Sequence, residues 1–214
     1  MYRVSRHAGF TGLAGFTLVE LLVAIAVFGI MLAIGIPNAG SWLLANRARS
    51  VSEFYAEGFG MARREAIAHN TASRISLTPN ETSGQMDWQV DLCYAGADTQ
   101  CLPGQDGWSS TAAPAANDPL GASGYRSVRR SAGGLPSAEL LRPSMLPEGA
   151  SQVYYTGLGW VNTTFGERLA QLLITPAGKY AGEVPMAALS ITLAGMVSKC
   201  DPTVTGRDNR ACPP

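Results

Sequence analysis

Histidine is nearly missing from this 214-residue chain. Only His7 and His69 occur, which leaves little room for histidine-based catalysis or a histidine-built metal site. Net charge is missing as well. Lys plus Arg total 16 and Asp plus Glu total 16, so the overall balance indicates neither nucleic acid nor an acidic substrate as partner. Enzyme signatures are absent: there is no Gly-x-Ser-x-Gly elbow and no His-Glu-x-x-His helix. A phosphate loop is missing too, because Gly178-Lys179 is followed by Tyr180 and lacks the upstream glycine. No carboxylate pair is singled out by its surroundings, and no internal repeat is present. Cysteine is limited to Cys93, Cys101, Cys200 and Cys212. An even count in two short loops points to two disulfides and an oxidising compartment. A four-cysteine zinc site calls for tighter C-x-x-C knuckles than these spacings provide. No metal and no cofactor is expected.

What the chain does have is one long apolar run, "GFTLVELLVAIAVFGIMLAIGIP", from Gly15 to Pro37. As a helix, residues 16–36 would rise roughly 30 Å, the thickness of a hydrocarbon core. A cleaved signal peptide explains the run poorly. Its apolar region spans about 7–15 residues and ends in a small-x-small site, whereas here the nearest candidate is Pro37-Asn38-Ala39. An ordinary single-pass anchor explains the length but not Glu20, a carboxylate that is costly in lipid unless it has a role. So close to the helix start, Glu20 could also snorkel to the headgroups. Ahead of the run, Arg3 and Arg6 are basic and no acidic residue occurs. That end is expected to stay cytoplasmic and the rest of the chain to be periplasmic, in agreement with paired cysteines.

Gly15-Phe16-Thr17-Leu18-Val19-Glu20 resembles the processing motif of type IV prepilins and type II secretion pseudopilins. The resemblance implies a membrane-embedded aspartyl peptidase that cuts after Gly15 and methylates the new amino terminus of Phe16. Glu20 is then the fifth mature residue. Gly9-Phe10-Thr11 offers an internal control, since the fifth residue after Gly9 is Ala14. Pro37 falls where pilins commonly carry a helix-kinking proline. After the cut, Phe16 bears an ammonium group that Glu20, on the same or a neighbouring subunit, can pair with. A lone carboxylate costs roughly a few kcal/mol in lipid or takes up a proton, and pairing recovers part of that only in the correct axial register.

Beyond Pro37 a helical stripe continues through Val51, Tyr55, Gly58, Ala62 and Ala66, with Phe54 and Met61 beside it. Arg47, Arg49, Glu53, Glu57, Arg63 and Arg64 lie mostly off it. The helix is expected to stop at His69-Asn70, asparagine suiting the left-handed position, with His69 a polar cap rather than a ligand. From residue 16 to 69 it would be about 80 Å long and bent at Pro37. Strands are expected at 73–77, 88–93, 152–156, 169–175 and 188–194, bounded by Pro79, Pro176 and Pro185. The stretch 96–149, rich in Gly, Ser, Ala and Pro, reads as a long loop region with at most short strands. The expected organisation is a leader at 1–15, a transmembrane helix at 16–37, its amphipathic continuation at 38–70 and a β-rich periplasmic domain at 71–214.

This order matches the α+β fold that the pilin resemblance implies, a long N-terminal helix packed on an antiparallel sheet. "MARREAIAHN", "VDLCYAGADTQC" and the ending "SITLAGMVSKCDPTVTGRDNRACPP" resemble the GspH/FimT-type minor pilins in particular. That family often has a Gly-Arg-x-Arg turn before a terminal cysteine pair, tied in some members to DNA uptake. The corresponding turn here is Gly195-Met196-Val197-Ser198-Lys199-Cys200, which lacks both arginines. Candidate nucleic-acid contacts are thus reduced to Lys199, Arg207 and Arg210. Local bridges Cys93–Cys101 and Cys200–Cys212 are expected, although four cysteines allow three connectivities. The resemblance implies a structural subunit, a minor pilin that helps initiate or cap a pilus. The alternatives are a type II secretion pseudopilin and a DNA-binding tip pilin. Implied partners are major and minor pilins, the prepilin peptidase, the inner membrane and the assembly platform.

Overall fold

The computed structural model describes residues 15–97, 100–166, 168–206 and 208–213, and within these the side chains of all but residues 37, 38 and 179. Residues 1–14 of the expected leader, and Arg207, lie outside the described residues. So does the Pro37 side chain, although its backbone belongs to a helix. The chain divides into two compact units between Gly40 and Ser41.

One helix, α1 (Leu18–Ala68), runs for 51 residues. In the first part of the chain, Leu18–Ile36 is apolar throughout except Glu20, with every side chain exposed. By length and composition it is able to cross a membrane.

In the second part, α1 presents Leu44, Ala48, Val51, Tyr55, Phe59, Ala62 and Ala66 as a buried stripe. Each large apolar side chain removed from water contributes about 1.5–3 kcal/mol. The helix ends in a Schellman motif. Asn70 takes φ 45°, its N–H donates to Ile67 O (3.2 Å) and the Thr71 N–H donates to Ala66 O (3.1 Å). His69 sits at this end, its Nδ1 3.0 Å from Tyr94 Oη and its Nε2 3.5 Å from Glu65.

Among the described residues, eight strands form two antiparallel sheets, where one sheet was expected. The first has the order β3-β2-β1-β5 and comprises β1 (Ala72–Pro79), β2 (Met86–Cys93), β3 (Val128–Arg130) and β5 (Gln152–Tyr155). The second has the order β4-β6-β7-β8 and comprises β4 (Leu141–Leu146), β6 (Gln171–Pro176), β7 (Ala187–Ile191) and β8 (Val197–Cys200). The sheets are stitched where the Val161 N–H donates to Leu193 O (2.9 Å) and the Leu169 N–H to Gln152 O (3.1 Å). Three strands fall in stretches read as loop or turn: β3, β4 and β8. β3 has no buried residue, and β4 is an edge strand carrying Pro143, which has no N–H to donate. Neither shows the alternation that marks a strand in sequence. β8 is four residues long and half exposed, at the far edge of its sheet.

The core is centred on Trp88, whose Nε1–H donates to Phe54 O (3.0 Å). Gly58 lets β2 come this close to α1, since a Cβ there would lie 2.9 Å from the Trp88 ring. Alanine is about 1 kcal/mol better than glycine inside a helix, and overpacking a core costs about 1–3 kcal/mol. Gly58→Ala is therefore expected to destabilise by up to about 2 kcal/mol in denaturant unfolding of the detergent-solubilised protein. Gly60→Ala is the control. Its Cβ would meet only the far end of the Arg64 side chain, at 3.1 Å, so a gain of up to about 1 kcal/mol is expected. Equal effects at the two positions would contradict the close-packing account.

Asp87 ties β3 and the segment after it to β2. Its carboxylate accepts from Asn80 Nδ2 (2.8 Å), Ala132 N (2.7 Å) and Arg129 Nη2 (2.8 Å). Burial pushes this carboxyl up, but the Ala132 N–H, the Arg129 guanidinium and the Asn80 amide together outweigh it and hold it below its ordinary 3.8. A carboxyl lowered by folding contributes stability above its unfolded pKa and loses it as pH falls through the lower folded value. The unfolding midpoint is thus expected to drop below about pH 4, and Asp87→Asn to flatten part of that drop. An unchanged slope in the variant would show that other carboxyls carry the acid sensitivity.

Candidate functional site

α1 begins immediately after Gly-Phe-Thr, and Thr17 is its N-cap. The Glu20 N–H donates to Thr17 Oγ1 (3.2 Å) and the Leu21 N–H to Thr17 O (3.1 Å). Thr17-x-x-Glu20 is the spacing of a capping box, and a carboxylate in the first turn suits the positive end of the helix dipole. Thr17 is the functional residue that sequence reading passed over. Its signal was the threonine three residues before a glutamate at the head of an apolar run.

Phe16 is 80% exposed and Glu20 is exposed beside it. Among the described residues, nothing lies within 4 Å of where a Gly15 Cβ would be. From Leu21 to Asn46 the sequence holds no charged residue. Glu20 is therefore the sole charge in a long apolar stretch. A new amino terminus at Phe16 would lie four residues away, within one helical turn of the carboxylate.

The cysteines close two loops. Cys93 and Cys101 are bonded with a Cα–Cα distance of 5.7 Å, and Cys200 and Cys212 with 4.8 Å. The first bridge starts at the end of β2 and the second at the end of β8. Each short loop contributes roughly 2–3 kcal/mol in the chain-entropy account. Among the described residues, no group of His, Cys, Asp or Glu is arranged to hold a metal ion.

Two of the three candidate nucleic-acid contacts, Lys199 and Arg210, face carboxylates of this chain. Lys199 Nζ lies 3.3 Å from Glu53 Oε1. Arg210 grips Asp208 through Nη2–Oδ2 (2.9 Å) and Nε–Oδ1 (3.2 Å). That side-chain pairing, helped by the Arg210 N–H, lowers the Asp208 carboxyl to about 2. Each neutralised phosphate contributes about −0.9 to the salt slope of duplex binding. With Lys199 and Arg210 paired, this protein is expected to show no submicromolar DNA binding at physiological salt in an anisotropy titration. Tight binding abolished by Arg207→Gln plus Arg210→Gln would overturn that expectation.

Residues 14–36 match the family described as the prokaryotic N-terminal methylation motif. The matched stretch contains Gly15 through Glu20 and begins after Gly9. No curated protein matches the chain in sequence. Two crystal forms of the Pseudomonas aeruginosa type IV minor pilin FimU are similar in structure. One is 15% identical over 76% of this chain and 94% of that one, with a TM-score of 0.41. The other is 12% identical over 74% and 97%, with a TM-score of 0.38. A likeness of this size transfers no function.

Proposed function

We infer that this chain, a type IV pilin-like protein by its methylation motif and its helix-on-sheet build, is a minor pilin that helps initiate or cap a type IV pilus. The observation that carries the reading is the motif itself: a single carboxylate at the third position of a capped helix whose exposed apolar segment, Leu18–Ile36, directly follows Gly15-Phe16-Thr17. In this reading the prepilin peptidase removes residues 1–15 and methylates Phe16. The apolar helix holds the subunit in the inner membrane with its β-rich domain in the periplasm, where two disulfides are at home. The assembly platform then transfers it into the filament beside other pilins. Its role is structural. Loss of the leader takes the 16 basic side chains to 14, because Arg3 and Arg6 leave with it, against 16 acidic ones.

A deletion strain complemented with the wild-type gene tests this. Loss of surface pili with undiminished major pilin in the membrane is the expected result, restored by the plasmid copy. Normal piliation with failed export of secreted enzymes would reassign the chain to a type II secretion pseudopilus.

A further inference from the structure

The second sheet has one face in the core and one outside it. Alternation puts Leu172, Ile174 and Leu189 inside. Gln171 and Ser190 sit opposite one another in the β6–β7 pair, so both side chains belong to the outer face. There they line a cleft of about 460 Å³ together with Arg168, Thr192, Leu193 and Pro213. Small-ligand sites occupy about 300–1,000 Å³.

Ser190 is only 5% exposed, yet its hydroxyl has no hydrogen-bond partner among the described residues. A buried hydroxyl left unpaired is costly, and native structures usually satisfy it. Arg168 is half-buried at the same cleft. No carboxylate among the described residues lies within ion-pair distance of it. The other polar groups are engaged. Thr192 Oγ1 accepts from the Met196 N–H (3.2 Å) and donates to Met196 O (3.2 Å). Gln171 Nε2 donates to Pro213 O at a long 3.5 Å. The cleft thus offers a cation and a hydroxyl, both without a partner, beside an apolar wall of Leu193 and Pro213.

Leu193 carries this wall outward. It is exposed, and its carbonyl accepts from the Val161 N–H (2.9 Å), so the turns at 156–161 and 192–196 lie side by side. They carry Leu158, Trp160 and Met196, all exposed. A compact molecule would fill the cleft and leave these side chains in water. An extended segment can cover both, and exposed apolar groups beside a polar site mark surfaces that bind proteins.

We propose that the Arg168–Ser190 cleft recognises a carboxylate on an apolar peptide segment of a partner protein. The guanidinium supplies the opposite charge and its N–H donors, and the Ser190 hydroxyl donates to a carboxylate oxygen. Apolar neighbours of that carboxylate pack on Leu193 and the adjoining turns. The site does not depend on the pilus reading.

The test is fluorescence anisotropy on the full-length, detergent-solubilised protein, with rhodamine-labelled Gly-Leu-Asp-Leu-Gly amide as the probe. Saturable binding is expected, weakened about tenfold or more for the Gly-Leu-Asn-Leu-Gly amide. Gly-Leu-Asn-Leu with a free terminus moves the charge to a chain end. Binding there extends the site to chain ends, and its failure confines the site to acidic side chains. Arg168→Gln is expected to cost the Asp probe about the same factor and to leave the Asn probe unchanged. Ser190→Ala is expected to weaken the Asp probe about threefold or more, while the melting temperature holds or rises, because the lost hydroxyl has no partner in the free protein. A merely structural serine would lower the melting temperature instead. Equal binding of the Asp and Asn probes, no binding of either acidic probe, or an Arg168→Gln variant that binds like the wild type would overturn the site. Displacement of the probe by inorganic phosphate at lower concentration than by acetate would overturn its assignment to carboxylates.

Discussion

A Glu20→Leu subunit is expected to insert, to lose its leader and then to stay in the membrane. The substitution removes the single charge between Leu18 and Asn46. A carboxylate well inside a span costs about 2.5–3.5 kcal/mol on insertion scales, less near an end where it can snorkel. Leucine therefore makes the span more compatible with lipid, and insertion is not the step at risk. On the pilin reading proposed above, the step at risk is transfer between subunits, where the cost of an unpaired carboxylate is offset only when an amino terminus lies at the right height. Without the charge, one axial position is no better than the next. The expected readout is a wild-type level of processed protein in membranes and none in the sheared surface fraction. Thr17→Val separates the cap from the charge. It gives up the Thr17–Glu20 hydrogen bond, worth about 1 kcal/mol at a helix start, yet keeps the carboxylate, and it is expected to assemble. A Glu20→Leu variant found in filaments as the sole copy would show that the pair is dispensable.

Gly15→Val is expected to leave the leader attached. A site shaped for glycine has no room for a branched side chain, and Gly15 precedes the helix, which starts at Leu18. The defect extends to assembly. An uncut chain has no ammonium at Phe16, so Glu20 keeps its carboxylate but loses its partner. Gly9→Val is the matched control. The same Gly-Phe-Thr follows it in register, but Ala14 stands where the carboxylate should be. Processing that survives at Gly15→Val and fails at Gly9→Val would move the mature start by six residues and leave Glu20 without its role.

The elements legible in the sequence were those with strong periodicity. The Val51–Tyr55–Ala62–Ala66 stripe is fully buried, and the asparagine stop at Asn70 takes the left-handed conformation that its position suggested. β1, β2, β5, β6 and β7 fall where alternation and proline boundaries put them, to within a few residues. β3 was hidden because its residues face solvent and are fixed by ion pairs, Arg129 with Asp87 and Arg130 with Glu57. β4 was hidden by its own Pro143, and β8 by the weight given to the Gly195 turn before it. That turn is crowded from outside: a Cβ on Gly195, already at φ 75°, would run into the Gly159 carbonyl oxygen. Such a long-range contact leaves no local mark in the sequence. The division into two sheets has the same origin, since it depends on bonds between segments far apart in the chain. Of the candidate site, the Gly15-Phe16-x-x-x-Glu20 spacing is a pattern of sequence alone, and its stretch lies within the matched methylation motif. The pairing of Lys199 with Glu53 was not legible, because it joins residues 146 positions apart.

Intact-mass analysis of the protein extracted from the membranes of a host that carries a prepilin peptidase bears most directly on the whole account. The predicted species begins at Phe16, carries one added methyl group on its amino terminus, and lacks four thiol protons because both disulfides are closed. A chain that still begins at Met1, or one that begins beyond Pro37, would contradict it.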